Sequence, residues 1–128
     1  RVLFRSKDWN FDSYPDISVL SSWGSAGCSY LIWNYNPQKR KFQYNKNLSE
    51  TIGLEMDSVN RSIVFHVSAG FQQENWDTMQ YINDKLTFIK GREAERWNDQ
   101  SGKSWEKNTY SKIVGDKVII RVDSSVIE

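Results

Sequence analysis

An all-β domain is what this chain predicts, and three features carry the prediction. Six Trp, six Tyr and six Phe make up 14% of the residues while hydrophobic content reaches only 38%, so the core is built from few, large side chains. Such residues suit pleated sheet faces. Second, short runs alternate with a period of two rather than 3.6. Third, Gly, Asn and Asp punctuate those runs at short intervals, as hairpin turns require.

Taken in order, one short strand precedes residue 8, and Ile17-Ser-Val19-Leu20 alternates as a second. Tyr30 to Tyr35 follows the glycine turn Trp23-Gly24-Ser-Ala-Gly27. The turn Asn36-Pro37-Gln-Lys-Arg40 then leads into Lys41 to Tyr44. One helical turn is expected over Asn47 to Ile52, with Ser49 or Asn47 as its cap and Gly53 as its stop. Ser62 to Val67 places Ile63, Phe65 and Val67 on one face. Thr78 to Ile82 turns at Asn83-Asp84 into Lys85 to Lys90, and Trp105 to Val114 with Lys117 to Val122 flank Gly115-Asp116. Both are two-residue hairpins. The result is an antiparallel meander of about eight to ten short strands with one short helical turn. No exact repeat fixes the arrangement as a regular propeller, so an incomplete propeller-like form and a sandwich both stand.

At 128 residues the chain makes a single domain, 1–128, large enough to bury a core. The 17 basic and 16 acidic residues are mixed along it, giving a net charge of +1. No basic stripe marks a nucleic-acid surface, and no apolar run spans a membrane. Cys28 stands alone and can form no intrachain disulfide. The opening at Arg1, one strand ahead of an unusual loop, reads like a trimmed chain, which leaves room upstream for a leader or a lipid anchor.

That loop is Asp8-Trp-Asn10-Phe-Asp12-Ser-Tyr14-Pro-Asp16. Side-chain oxygens recur at 8, 10 and 12, a backbone carbonyl is available at Tyr14, and Asp16 can close the shell. Ca²⁺ takes roughly six to eight oxygens at about 2.3–2.6 Å, which is what such a wrapped loop offers. Without a cation its carboxylates repel one another. Ser13 stands where such loops carry Gly, and Val19 stands where a helix–loop–helix site would have its bidentate Glu. The loop therefore reads as the shorter kind that runs into a strand, in a millimolar-calcium setting outside the cytoplasm. The plain alternative is an Asx-rich turn.

Catalytic constellations are scarce. His66 is the sole histidine and lies opposite the Ile63 face, as a half-exposed sheet residue. Cys28 reads as a small buried hydrophobe. Zinc would need His or Cys ligands in numbers the chain lacks. Glu74 with Asp77 and Glu93 with Glu95 are acid pairs whose separation sequence does not supply. The expectation is a protein that is not an enzyme.

The loop, the following Ile-Ser-Val, the Gly-Ser-Ala-Gly segment and Tyr30-Leu-Ile-Trp-Asn-Tyr-Asn-Pro37 together resemble a group of bacterial periplasmic proteins. Their pattern runs Asp-x-Asn-x-Asp-Gly-Tyr-x-Asp, a small-residue turn, an aromatic strand, then Phe-x-Tyr-Asn-x-x-Leu-Ser, here Phe42 to Ser49. Asp77-Thr-Met-Gln-Tyr-Ile-Asn-Asp-Lys-Leu86 is similar to their closing hairpin, so the resemblance covers roughly residues 3 to 90. It implies an immunity protein that inhibits a secreted antibacterial peptidoglycan hydrolase by occluding its active site, on an all-β, propeller-like scaffold in the periplasm. It also implies structural calcium held by Asp8, Asn10, Asp12, the Tyr14 carbonyl and Asp16.

An inhibitor needs exposed anchors on a rigid scaffold. Gly70-Phe71-Gln-Gln-Glu74-Asn-Trp76 has no core periodicity and offers Phe71, Glu74 and Trp76, and Trp23 is the second candidate. The rival reading is a calcium-dependent extracytoplasmic binding module, adhesin-like or carbohydrate-binding.

Overall fold

The computed structural model describes residues 4–25 and 27–127; Arg1, where the sequence opens, and Ala26 of the predicted glycine turn lie outside them. Ten strands and one helix follow in chain order. They are β1 (Phe4–Lys7), β2 (Asp16–Gly24), β3 (Gly27–Asn36), β4 (Lys41–Tyr44), α1 (Lys46–Ser49), β5 (Leu54–Asp57), β6 (Ser62–Ala69), β7 (Gln73–Ile82), β8 (Lys85–Asn98), β9 (Ser104–Val114) and β10 (Lys117–Ile127). Every strand pairs antiparallel with its sequence neighbour within two open meanders, β1-β2-β3-β4 and β10-β9-β8-β7-β6-β5. The all-β meander and its strand number are as the sequence predicts, and neither sheet closes into a barrel.

The two sheets meet over Trp9, Ile32, Leu48, Leu54 and Ile63, all buried, with Tyr30, Met56, Phe65, Tyr81 and Leu86 packed around them. Ile63 and Phe65 thus face the core as their alternation demands, whereas Val67 is exposed. The sheets are stitched at Gly53, whose N–H donates to the Cys28 carbonyl at 2.6 Å and whose carbonyl accepts from His66 N–H at 2.8 Å. Gly53 sits at φ +80, and a Cβ there would lie 1.8 Å from the His66 carbonyl oxygen, so only glycine fits.

The helical turn begins earlier than the sequence predicts. Its cap is Asn45, one turn ahead of Ser49, because the Asn45 side chain accepts from Leu48 N–H at 3.0 Å while its amide donates to Asn34 at 2.7 Å. Ser49 is inside the helix and buried, its hydroxyl accepting from Ile32 N–H at 2.9 Å. Four residues make a marginal helix alone. Packing of the fully buried Leu48 holds this one in place.

The second correction concerns residues 73 to 76. The sequence predicts an irregular segment carrying Glu74 and Trp76, but β7 begins at Gln73, and only the turn around Gly70 and Phe71 is free of the ladder. Likewise β8 runs on to Asn98. A register shift at Thr78/Met79 bends β8, after which it pairs with β7 on one side and β9 on the other. No helix among the described residues is long and apolar enough to cross a membrane.

Candidate functional site

Two regions carry the side chains singled out by the sequence, and they lie at opposite ends of the molecule. β2 runs from Asp16 to Trp23 while β6 runs from Ser62 to Ala69. The Asp8–Asp16 loop touches the start of β6, where the Arg61 guanidinium donates to the Phe11 carbonyl and lies 5.7 Å from the Phe11 ring centre. At the other end Gly24, Ser25, Gly27, His66 and Ser68 line one hollow of about 320 Å³. Trp23 and Phe71 therefore share the end remote from the loop.

The loop is organised by its own carboxylates. Asp8 accepts from the N–H groups of Asp12 (3.1 Å) and Ser13 (2.8 Å), and Asp12 accepts from Tyr14 N–H (2.9 Å) and the Asn10 amide (3.2 Å). Phe11 and Ser13 both adopt positive φ, at 57° and 75°. Ser13 thus occupies the left-handed conformation that glycine normally supplies, at a steric cost. Asp16 is turned beneath the loop and fully buried, one oxygen accepting from Trp9 N–H at 2.8 Å and the other from Tyr35 N–H at 2.9 Å. Burial pushes its carboxyl above the ordinary value, opposed by the Tyr35 amide, the Asn34 side chain and the Trp9 amide, while the Asp12 charge pushes the same way as burial.

Could these groups hold a cation? The donor set is all oxygen, as Ca²⁺ prefers. The Asn10 side-chain oxygen, Oδ1, is buried with no hydrogen-bond partner, an acceptor a cation would satisfy. Each bonded carboxylate oxygen keeps a second lone pair. Among the described residues, however, no three His, Cys, Asp or Glu side chains gather as a metal cluster, and Asp16 lies beneath the loop with its oxygens on the Trp9 and Tyr35 amides. The residues present fit a hard cation held mainly through Asp8, Asn10, Asp12 and the Tyr14 carbonyl.

The second region is the outer face of the larger sheet, which turns away from the core. Register lines up His66, Trp76, Arg92, Tyr110 and Arg121 across five neighbouring strands. They form one stack. His66 lies 4.8 Å from Trp76 with rings 18° apart; Arg92 sits 4.6 Å over Trp76 and 5.9 Å from Tyr110; Arg121 lies 4.5 Å over Tyr110. Such cation–π contacts are each worth about 0.5–1 kcal/mol when exposed. Trp76 is therefore half-buried, between His66 of β6 and Arg92 of β8.

Glu74 belongs to a neighbouring network centred on Arg96. That guanidinium bonds Glu106 at 2.7 Å and Glu74 at 3.2 Å, donates to the Phe71 carbonyl at 3.2 Å and lies 5.6 Å over the Phe71 ring. Glu106 is held below the usual carboxylate range, first by the Asn108 side chain and then by Arg96. Glu74 also approaches His66 at 3.7 Å, and Glu55 approaches it from the other side at 3.0 Å. Glu74 and Asp77 fall on opposite faces of β7 and so are no acid pair.

The structure thus brings Phe71, Glu74 and Trp76 together through Arg96 and His66, and leaves Trp23 separate on its own hairpin. Phe71 is 62% exposed and Trp23 77%. Arg92, Arg96, Glu55 and Glu106 were not singled out from sequence. The available signal was Arg at 92 and 96 with Glu at 106, on one side of two facing strands.

No protein-family model and no curated protein matches the chain. Among solved structures it is similar to a Xanthomonas type IV secretion system related protein, with a TM-score of 0.67 and 16% identity. The match covers 91% of this chain and 56% of that one, so the chain spans little more than half of that protein's length. At this identity the likeness establishes a shared fold.

Proposed function

We propose that the chain acts outside the cytoplasm as an immunity protein, binding a secreted peptidoglycan-hydrolase toxin and occluding its active site, with calcium bracing the Asp8–Asp16 loop. One observation carries the reading: two large, exposed aromatics, Trp23 and Phe71, stand at the same end of a strand scaffold, and Arg96 fixes the Phe71 turn from both its carbonyl and its ring. Anchors already held in place lose little entropy on binding. The residue pattern from Asp8 to Leu86 supports the family, and the fold shared with a secretion-system-related protein supports the setting. His66 is flanked by the Glu55 and Glu74 carboxylates and stacked on the Trp76 indole. We read it as a sheet residue of a binding protein.

The test is capture of a co-encoded hydrolase by the purified chain, and survival of cells that export that hydrolase. Phe71→Ala or Trp23→Ala should weaken a low-nanomolar complex by roughly 2 kcal/mol or more, with an almost unchanged melting curve. The exposed Trp23 indole keeps one rival in play, a calcium-dependent glycan-binding module. Elution of the chain by sugar or chelator, together with no protection against the toxin, would favour that rival.

A further inference from the structure

The outer face of the larger sheet sorts charge in a way the sequence order hides. Lys90 of β8 and Lys112 of β9 are direct cross-strand partners, and Ile119 of β10 continues their row. The next row holds Arg92, Tyr110 and Arg121. Like charges placed directly opposite in a sheet are destabilising. None of Lys90, Lys112 and Arg121 takes part in an ion pair among the described residues, whereas Arg92 is partly neutralised by Glu106 at 3.4 Å. Lys90, Tyr110, Lys112, Ile119 and Arg121 enclose a hollow of about 440 Å³. Beside it, across Lys90 and Tyr110, a second hollow of about 590 Å³ reaches Trp76 and Asp57.

From this we infer that the Lys90–Lys112–Arg121 cluster is a docking surface for a protein partner that presents carboxylates there. Two features decide the ligand class. Stacking ligands such as sugar rings or nucleobases need free aromatic faces, but Trp76 already stacks with His66 and carries Arg92, and Tyr110 carries Arg121 with Arg92 near it. The cations without an ion pair among the described residues, Lys90, Lys112 and Arg121, offer ammonium and guanidinium N–H donors that suit oxyanions. The cluster is also bounded by acids: Asp57 lies on the β5 side, and Asp123 follows Arg121 on the same face of β10. A uniformly charged phosphate polymer would run onto those carboxylates in either direction. A polypeptide surface can set acids over the cations and neutral or basic groups opposite Asp57 and Asp123. Deepening the toxin-binding reading, this assigns an acidic patch to the partner.

The test uses octaglutamate as the probe, with an eight-residue thymidine oligonucleotide as the phosphate counterpart, titrated calorimetrically into the full chain at low and moderate salt. Octaglutamate should bind, weaken as salt rises, and bind more tightly than the oligonucleotide. Lys112→Glu should weaken octaglutamate about tenfold, the scale of one charge-assisted contact. The same change should raise the melting temperature, because it replaces a repulsive Lys90–Lys112 pair by an attractive one. Failure of octaglutamate to bind at low salt overturns the inference, as does tighter binding of the oligonucleotide or a lower melting temperature for Lys112→Glu. Octaglutamate binding without protection against any toxin would instead leave the groove standing and remove the inhibitor reading.

Discussion

Replacing Asp16 by Ala separates the two duties that one carboxylate can have in this loop. Its oxygens accept from Trp9 N–H and Tyr35 N–H at 2.8 and 2.9 Å, joining the loop to β3 from a fully buried position. Removing the carboxylate orphans both amides. A buried donor left without a partner costs about 1–3 kcal/mol, and Tyr35, only half-buried, falls toward the low end. Against this, the variant no longer buries a charge, the effect that pushes the Asp16 carboxyl upward. The expected net loss is about 2–4 kcal/mol, or roughly 8–16 °C in melting temperature for a domain of this size. Asp16→Asn should lose less, because its carbonyl oxygen can still serve one of the two amides. The measurement is urea unfolding of all three proteins, in chelator and again in millimolar calcium. Since the two bonds need no metal, the loss should be present in full in chelator. A variant indistinguishable from the parent in chelator, and destabilised only with calcium, would show that Asp16 acts as a metal ligand and that its amide bonds contribute little.

Calcium should raise the melting temperature of the parent, and Asp12→Ala should abolish that increment, as followed by calorimetry with and without chelator; a parent indifferent to both would end the calcium proposal. Gly53→Ala should cost more than about 3 kcal/mol, since its Cβ would meet the His66 carbonyl at 1.8 Å at a positive φ, whereas Gly24→Ala, with open space around it, should stay within about 0.5 kcal/mol in the same denaturation assay. Asp99 is depressed to about 2, first by the Ser101 hydroxyl and then by the Trp105 indole, which donates at 2.9 Å. Its contribution is therefore complete above the unfolded value of 3.8 and is lost as pH falls through about 2. The Trp105 indole N–H resonance should titrate there, and a midpoint near 4 would refute the bond.

The parts of the fold legible in the sequence are those where one residue type settles the backbone or where one face is buried. Asn83-Asp84 reads as a two-residue hairpin, and both residues sit at positive φ, 51° and 61°. Ile63 and Phe65 alternate because they face a core. Residues 73–76 and 91–98 were not legible as strand, because their outer face carries Glu, Trp and Arg rather than aliphatics, and period-two hydrophobicity never develops. The loop was legible as an Asx-rich turn, but the use of Asp16 as a strap was not, since it depends on Tyr35, 19 residues away. Charge misled in the same manner. Lys90, Lys112 and Arg121 are scattered along the chain, and only the registers of β8, β9 and β10 collect them.

β10 has a dynamic consequence. It pairs with β9 over eleven residues without a bulge, yet it is exposed from Lys117 through Val126 and touches nothing on its far edge among the described residues. The ladder to β9 and the Arg121–Tyr110 contact hold it, so it can detach without uncovering Ile32, Leu48 or Ile63. Amide exchange should then divide the molecule into two tiers. The amides of β3 and β6 would exchange only through global unfolding, and those of β10 through a cheap local opening, with every second β10 amide unprotected because it points away from β9. Ile119 and Arg121 of the cationic hollow ride on the looser tier. Its Arg121 wall can therefore shift to meet a partner while Lys90, on the bent strand below, stays in register with the core.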